Sequence, residues 1–574
     1  MPSHTSLSRR RSVPRGALPG LRATSLLLAL LASACTLLFL TGTALADSSQ
    51  LAMLEADWQM QSDPASTILQ ARQLGISVIR VSVRWQSIAP DPNSFKAPKH
   101  FNAADPADYS NSKWAPYDAM VRDAAADGIR LDFDVSGGAP LWATGKGMPH
   151  VHGYPFHNWE PSASDYGKFM RAVATRYSGN YNPAAKKLEP GNSGDLPRVN
   201  FWAVYNEPNY GPSLAPQGIH GHKGVPGSPR LYRSLLDQAY SALKATGHGS
   251  DTLLFGETAA RGALTFGDFN MMLPLLFFRG LYCLNSSYKP VRGNTAKLMG
   301  CPTTGRGSAA FAKDNPALFK AAGVSDHPYM RWYPPNDEEN SYQPANFRQI
   351  KSSYASLATI GNLEKGINRA VKAYHSNRKF PVWITEFGYI TNPPAKPSSK
   401  YPYHYATQAT AAYYDNWAEY IAWKDSRIAS FDQYLLRDPR NTHGQGFPSG
   451  LINSNGTAKP GLAAFRMPLY LPKTSASSPT KTLEVWGGAR PVHFVQIDEP
   501  GIPQHVNIQF EPKGSHTFVT MATQLISSSE GYFDTHLTFP SSGTVRLQWT
   551  YPNDSLLAMS GTTVYSRTQS VTVR

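Results

Sequence analysis

"NFWAVYNEP", residues 200–208, is an apolar, aromatic-rich run that breaks into Asn206-Glu207-Pro208. Proline cannot donate to a strand ladder and restricts the residue before it, so Glu207 is expected to be extended at a strand's last position, facing what lies beyond the sheet. A second run, "FPVWITEFG", residues 380–388, carries Glu386 at its end. Two such carboxylates matter only if the rest of the chain builds a scaffold that brings them together.

Working outward, strand-like and helix-like runs alternate from about residue 50 to 465. "AMLEADWQM" is a first strand, followed by a helix stopping at Gly75. "ISVIRVSVRWQSIAP" alternates strictly, with Arg80, Ser82 and Arg84 on one face and Ile79, Val81, Val83 and Trp85 on the other. "IRLDFDVSGGAPLWA" is a third strand, "SASDYGKFMRAVATRYSG" a helix capped by Ser162 or Ser164, and the opening stretch a fourth strand. "DTLLFGETAARG", "VSDHPYMRWYPP", "FPVWITEFGYIT" and "RIASFDQYLLRD" continue the series, each followed by a helical run. Eight such units predict a (β/α)8 TIM barrel. A doubly wound sheet would bring a Gly-rich phosphate loop after an early strand, and the chain has neither G-x-G-x-x-G nor a P-loop.

Near residue 470 the texture changes to a Ser/Thr/Pro run, "LPKTSASSPTKT", and then to short alternating segments such as "VHFVQIDE", "HVNIQFEP" and "TVRLQWTYP". These predict a small, Ig-like all-β sandwich without helices. The expected organisation is a secretory signal peptide over 1–46, a barrel over 47–470, a linker over 471–482 and the sandwich over 483–574. The sandwich is expected to be accessory, because every candidate catalytic residue precedes it.

The signal peptide is read from five arginines without an acid, an apolar stretch "LLLALLASACTLLFL", and an Ala44-x-Ala46 cleavage site; an uncleaved anchor is the alternative. The expected location is therefore secreted or extracellular. Without this segment 50 basic residues face 40 acidic ones, in no block. So diffuse an excess fits loose association with anionic cell-wall polymer and argues against nucleic acid; a monomer is expected. Cys283 and Cys301 are the two cysteines left, and an even count in an exported chain predicts one disulfide.

Chemistry in a barrel sits at the carboxyl ends of its strands. Glutamates ending strands four and seven would face each other across the mouth. Glycoside cleavage needs such a pair, one carboxyl protonating the leaving oxygen and one ionised for the anomeric carbon. "NEP" and "ITEFG" on these strands resemble the signature of glycoside hydrolase clan A, retaining (β/α)8 enzymes of the cellulase-like family 5 or family 39 type. The resemblance covers about residues 50–465. It implies Glu207 as acid/base, Glu386 as nucleophile and Asn206 as donor to the 2-hydroxyl. Arg80 would steady the nucleophile, with His327 and Tyr329 beside it. The pattern departs at the eighth strand, where Gln433 and Tyr434 stand in place of a tryptophan.

Glu257 is a further candidate, for binding sugar or orienting Arg80, and Trp142, Trp159, Trp332 and Tyr333 are candidates for stacking on sugar rings or for core packing. The histidines of "HVHGYPFH" and "HGH" lack the spacing of a closed metal site, so no metal and no cofactor are expected. The function expected is a secreted retaining glycosidase acting on a poly- or oligosaccharide. A transglycosylase with the same residues and a non-catalytic sugar-binding protein on a decayed barrel are the alternatives.

Overall fold

Why the eight units close is visible in the second strand. Ile79, Val81 and Val83 are fully or almost fully buried on the outer side, where helices cover them, while Arg80 turns inward. The computed structural model describes residues 49–151, 156–264, 267–337, 350–397, 404–440, 446–553 and 557–574. The expected signal peptide therefore lies outside the described residues.

The strands are β1 (Leu51–Glu55), β2 (Val78–Arg84), β3 (Arg130–Ser136), β4 (Phe201–Val204), β5 (Thr252–Ala259), β6 (Gly323–His327), β7 (Val382–Ile384) and β8 (Ile428–Tyr434). Every neighbouring pair is parallel and the order is sequential, with β8 returning to β1, a closed (β/α)8 barrel. The main helices after these strands are α1 (Pro64–Gln73), α2 (Asn111–Ala126), α3 (Ala163–Arg176), α4 (Ser228–Ala245), α5 (Pro274–Leu281), α6 (Ile360–Lys372), α7 (Gln408–Lys424) and α8 (Pro460–Arg466). Ser162 caps α3 by accepting from the Asp165 amide.

The interior is layered. Met53, Val78, Phe201, Ala203, Leu254 and Trp383, from the amino-terminal parts of their strands, form an apolar plug. Above it, toward the carboxyl ends, the side chains become ionisable: Glu55, Arg80, Asp132, Asp134, Glu257, Asp326 and Asp432 are all buried. Between α5 and β6 the chain makes an excursion in which Cys283 and Cys301 are bonded, as expected.

Nine further strands follow: β9 (Leu469–Tyr470), β10 (Ser475–Ala476), β11 (Thr482–Gly488), β12 (Gln504–Pro512), β13 (Val519–Ile526), β14 (Tyr532–Thr538), β15 (Gly543–Thr550), β16 (Thr563–Tyr565) and β17 (Gln569–Val573). One sheet runs β9-β11-β14, the other β10-β17-β15-β12-β13 with β16 beside β15. Gly487 of the first faces Leu547 of the second so closely that a Cβ there would lie 2.8 Å from it.

Two expectations need correction. "VHFVQIDE" is not a strand but helix α9 (Val492–Asp498). Val492, Phe494 and Val495 are buried while Ile497 is exposed, a spacing that a short apolar run shares with a strand. The missed strand is β11, whose core of Val485, Trp486 and two glycines lacks alternation.

The sheets also grip the barrel. Arg490 forms a buried ion pair with Glu419 of α7, and Tyr532 donates to the same carboxylate at 2.6 Å. Arg72 of α1 pairs with Asp498 and lies 4.5 Å over the Phe494 ring. At Gly75, with φ of 75°, a Cβ would lie 2.2 Å from the Arg490 carbonyl, so the helix end and α9 meet backbone to backbone. Trp423 of α7 joins Tyr470, Trp486 and Tyr532 in one aromatic cluster.

Candidate active site

Strand β4 stops at Val204, three residues before Glu207, so the expected extended carboxylate is not what forms. Tyr205 and Glu207 instead take left-handed φ values of 64° and 43°. Proline bars the right-handed region for Glu207, and the left-handed one is used at a cost of about 1–2 kcal/mol. The turn is tied down from behind. Asn209 donates to the carbonyls of Ala259 and Met272 at 3.0 and 2.8 Å and accepts from the Ala259 amide at 2.9 Å. Gln217 donates to the Pro208 carbonyl at 2.9 Å.

Arg80 is the hub. Its two terminal nitrogens donate to Glu55 at 2.5 Å, Glu386 at 2.9 Å, Asn206 at 2.9 Å and Glu257 at 2.9 Å, and one lies 3.4 Å from Asp134. The planar guanidinium suits such divided donation, which an ammonium cannot reproduce. Tyr329 donates to the other Glu386 oxygen at 2.9 Å. His327, the last residue of β6, has Nδ1 at 3.3 Å from Glu207 and 3.5 Å from Glu386, and Nε2 at 3.1 Å from Glu257.

Of the readings open for Glu257, its contacts are those of a partner to Arg80. It is fully buried and contacts Arg80, His327 and the Thr385 hydroxyl rather than open space. The pairing of β5 with β6 shifts register between Val324 and Asp326, where Gly256 and Glu257 have positive φ values of 123° and 47°. This irregularity turns the carboxylate inward.

Burial alone would raise the Glu257 carboxyl, yet Arg80, then His327 and Ser325, bring it down to about 2. Burial opposes the His327 charge, but Glu386, Glu207 and Glu257 together hold its pKa well above the usual histidine range. Glu386 is raised by burial, with His327 and Arg80 pulling against that. Glu55 is pushed well up, chiefly by burial, against the pull of Arg80.

Ligand-type atoms of Glu207, His327 and Glu386 lie within 4.8 Å of one another, and no other group among the described residues converges in this way. Both imidazole nitrogens of His327 are engaged by carboxylates, Nδ1 by Glu207 and Nε2 by Glu257. His157 is occupied by the Ala139 carbonyl at 2.7 Å; His152 lies outside the described residues.

Two connected cavities flank the pair. Asn206, Glu386 and Tyr434 line both; the one toward β1–β4 has a volume of about 440 Å³, the one toward β5–β8 about 750 Å³. Trp332 lines the larger one. Trp142 does not reach either cavity. It packs edge-on against Trp85 at 6.3 Å, and its indole nitrogen donates to the Pro90 carbonyl at 3.0 Å. Trp159 and Tyr333 are buried. At the eighth strand Tyr434 faces the cleft, while Gln433 turns away to the Ser449 carbonyl at 2.9 Å. Glu55, Asn209 and Gln217 were missed. Glu55 ends β1 as Glu386 follows β7, so the strand-end rule could have found it; the other two sit in loops without a periodic signal.

No protein-family model and no curated protein matches the chain. Among solved structures, it is similar to a family 39 glycoside hydrolase from Bacteroides cellulosilyticus WH2, with 14% identity over 86% of this chain and 80% of that one and a TM-score of 0.43. It is also similar to the endo-beta-1,4-mannanase from Thermotoga petrophila (13%, 93% and 100%, TM-score 0.38) and to a family 1 beta-glucosidase from Thermotoga maritima (12%, 70% and 85%, TM-score 0.40). These structural neighbours are glycoside hydrolases.

Proposed function

We propose that this protein is a secreted glycosidase of the retaining, clan A type, with Glu386 as nucleophile and Glu207 as acid/base. One observation carries the reading: the nearest carboxylate oxygens of the two residues lie within 4.8 Å. So close an approach favours the ~5–5.5 Å carboxyl separation of a double displacement over the ~6.5–9.5 Å that an inverting enzyme leaves for water.

In the first step a Glu386 oxygen bonds to the anomeric carbon while the glycosidic bond breaks, and Glu207 gives its proton to the departing oxygen. Water then attacks the glycosyl-enzyme, Glu207 takes its proton, and Glu386 is released. Arg80, Tyr329 and His327 surround Glu386 with donors, so its ionised form is oriented before substrate arrives. Asn206, with its amide oxygen fixed by Arg80, keeps its NH2 for the sugar. Export is supported by the arginine-rich, apolar leader and by the Cys283–Cys301 bond. No helix among the described residues is long and apolar enough to cross a membrane.

The test uses two variants. Glu386→Gln should abolish turnover of every aryl glycoside and polysaccharide that the wild type cleaves. Glu207→Ala should still form the intermediate from an aryl glycoside with a good leaving group, and azide should restore turnover as a glycosyl azide of retained configuration. A product of inverted configuration, followed by NMR, would refute the assignment.

A further inference from the structure

The two halves of the cleft differ in chemistry, and the two glutamates divide between them. Glu386 borders both halves, but Glu207 borders only the larger one, toward β5–β8. A proton donor must touch the oxygen that departs, so the leaving group lies on the Glu207 side. The sugar whose anomeric carbon meets Glu386 then extends into the smaller half. That half is lined by Ser82, Gln86, Ser136, Asn158 and Ser213 with Arg84, groups that match sugar hydroxyls.

The larger half is built otherwise. Tyr210, Met271, Tyr329, Trp332, Ile390 and Phe447 line it, together with the catalytic pair, Arg261 and Arg331. Phe447 meets Tyr329 edge-on at 5.1 Å and Tyr434 at 5.2 Å, and Phe387 stacks behind Tyr329 at 6.4 Å, a continuous aromatic wall. The bordering cations belong to the walls as well: Arg331 lies 5.7 Å over the Trp332 ring, and Arg261 donates to the Tyr329 carbonyl at 3.2 Å. Aromatic rings alone could stack on a sugar. Met271, Ile390, Ala259 and Ala260 carry no polar side-chain group, so a sugar lying against them would leave hydroxyls on that side desolvated and unpaired.

We propose that the half of the cleft toward β5–β8 is a site for an apolar or aromatic aglycone, so that the substrate is an amphiphilic glycoside rather than a sugar chain. The inference rests on the glycosidase reading for its direction, and its test is independent of turnover. The Glu386→Gln protein is titrated by calorimetry with methyl and octyl β-glycosides of glucose, galactose, mannose and xylose, the octyl compounds kept below micelle formation, and with cellobiose and mannobiose. The octyl compounds should bind at least about tenfold more tightly than their methyl partners, because apolar area leaves water. Trp332→Ala and the milder Met271→Gln should each reduce that ratio without weakening the methyl glycosides. A ratio below tenfold, a ratio that neither variant moves, or tighter binding of the disaccharides overturns the proposal. If the ratio holds but wild-type protein cleaves no glycoside, the apolar site stands and the glycosidase reading falls. If glycosides are cleaved but the ratio fails, the reverse is true.

Discussion

At the scale of single residues, Glu257 holds the others in place. Glu207, Glu386 and Glu257 all face His327, with Asp326 beside it, Asp432 from β8 and Arg80 from β2 nearby. Of these, Glu257 is the fully buried one, joined to Arg80 and to His327 Nε2, while Glu386 pairs with the same two cations from the cleft. Glu257→Gln leaves those cations a counter-charge short and should cost about 3 kcal/mol, measured by urea unfolding. Glu257, held at about 2, contributes stability above the ordinary carboxylate range that is lost as pH falls toward 2. His327, held high, contributes stability below the ordinary histidine range that is lost as pH rises through its raised value. In the variant, His327 should release its second proton at lower pH, visible in imidazole 15N shifts, and the alkaline limb of kcat/KM should move down with it. An unmoved imidazole titration would leave Glu257 with a packing role alone.

Among the elements, the turn after β4 shows how local hydrogen bonding sets catalytic geometry. Asn209→Ala removes three hydrogen bonds that join this turn to β5 and the loop beyond it. It should lower stability by about 1–3 kcal/mol and lower kcat more than it raises KM, since Glu207 rather than the sugar pockets loses its support. The Cys283–Cys301 bond lies in the excursion before β6. Replacing both cysteines by serine should cost about 3 kcal/mol and leave the kinetics of the folded protein unchanged. Barrel strands were legible because one face of each, as at Arg80, Ser82 and Arg84, departs from an otherwise apolar run. Those strands, together with the resemblance carried by "NEP" and "ITEFG", pointed to Arg80, Asn206, His327, Tyr329 and Glu386 without any coordinates. The left-handed Glu207 was not legible, since the rule for the residue before proline points to extended backbone, and the ties of Asn209 and Gln217 behind the turn have no periodic signal. Helix α9 was hidden because Val492, Phe494 and Val495 fit either period over so few residues. Trp142 was ambiguous because an aromatic residue after a strand can turn to the cleft or to the helices.

For the molecule as a whole, barrel and sheets share buried charge. Arg490→Ala would leave the buried Glu419 with the Tyr532 hydroxyl but no counter-charge and should lower stability by about 3–5 kcal/mol. A chain cut near residue 472 loses every such partner at once and should give no cooperative melting transition. Buried carboxylates set the pH response. Asp134 is raised to about 7 and Asp415 to about 8, in both cases first by burial. Because these groups bind protons more tightly when folded, the stability they contribute declines as pH rises from about 4 toward 8, and Tm should be higher at pH 5 than at pH 8. The Arg80 hub has a further consequence for how such a chain can diversify. Five groups from β1, β3, β5 and the segments after β4 and β7 divide one guanidinium, so substitutions among them should be strongly non-additive in double-mutant cycles. Met271, Trp332 and Ile390 of the larger half are not among these five, so a lineage can vary what is split off while the groups that do the splitting stay locked together.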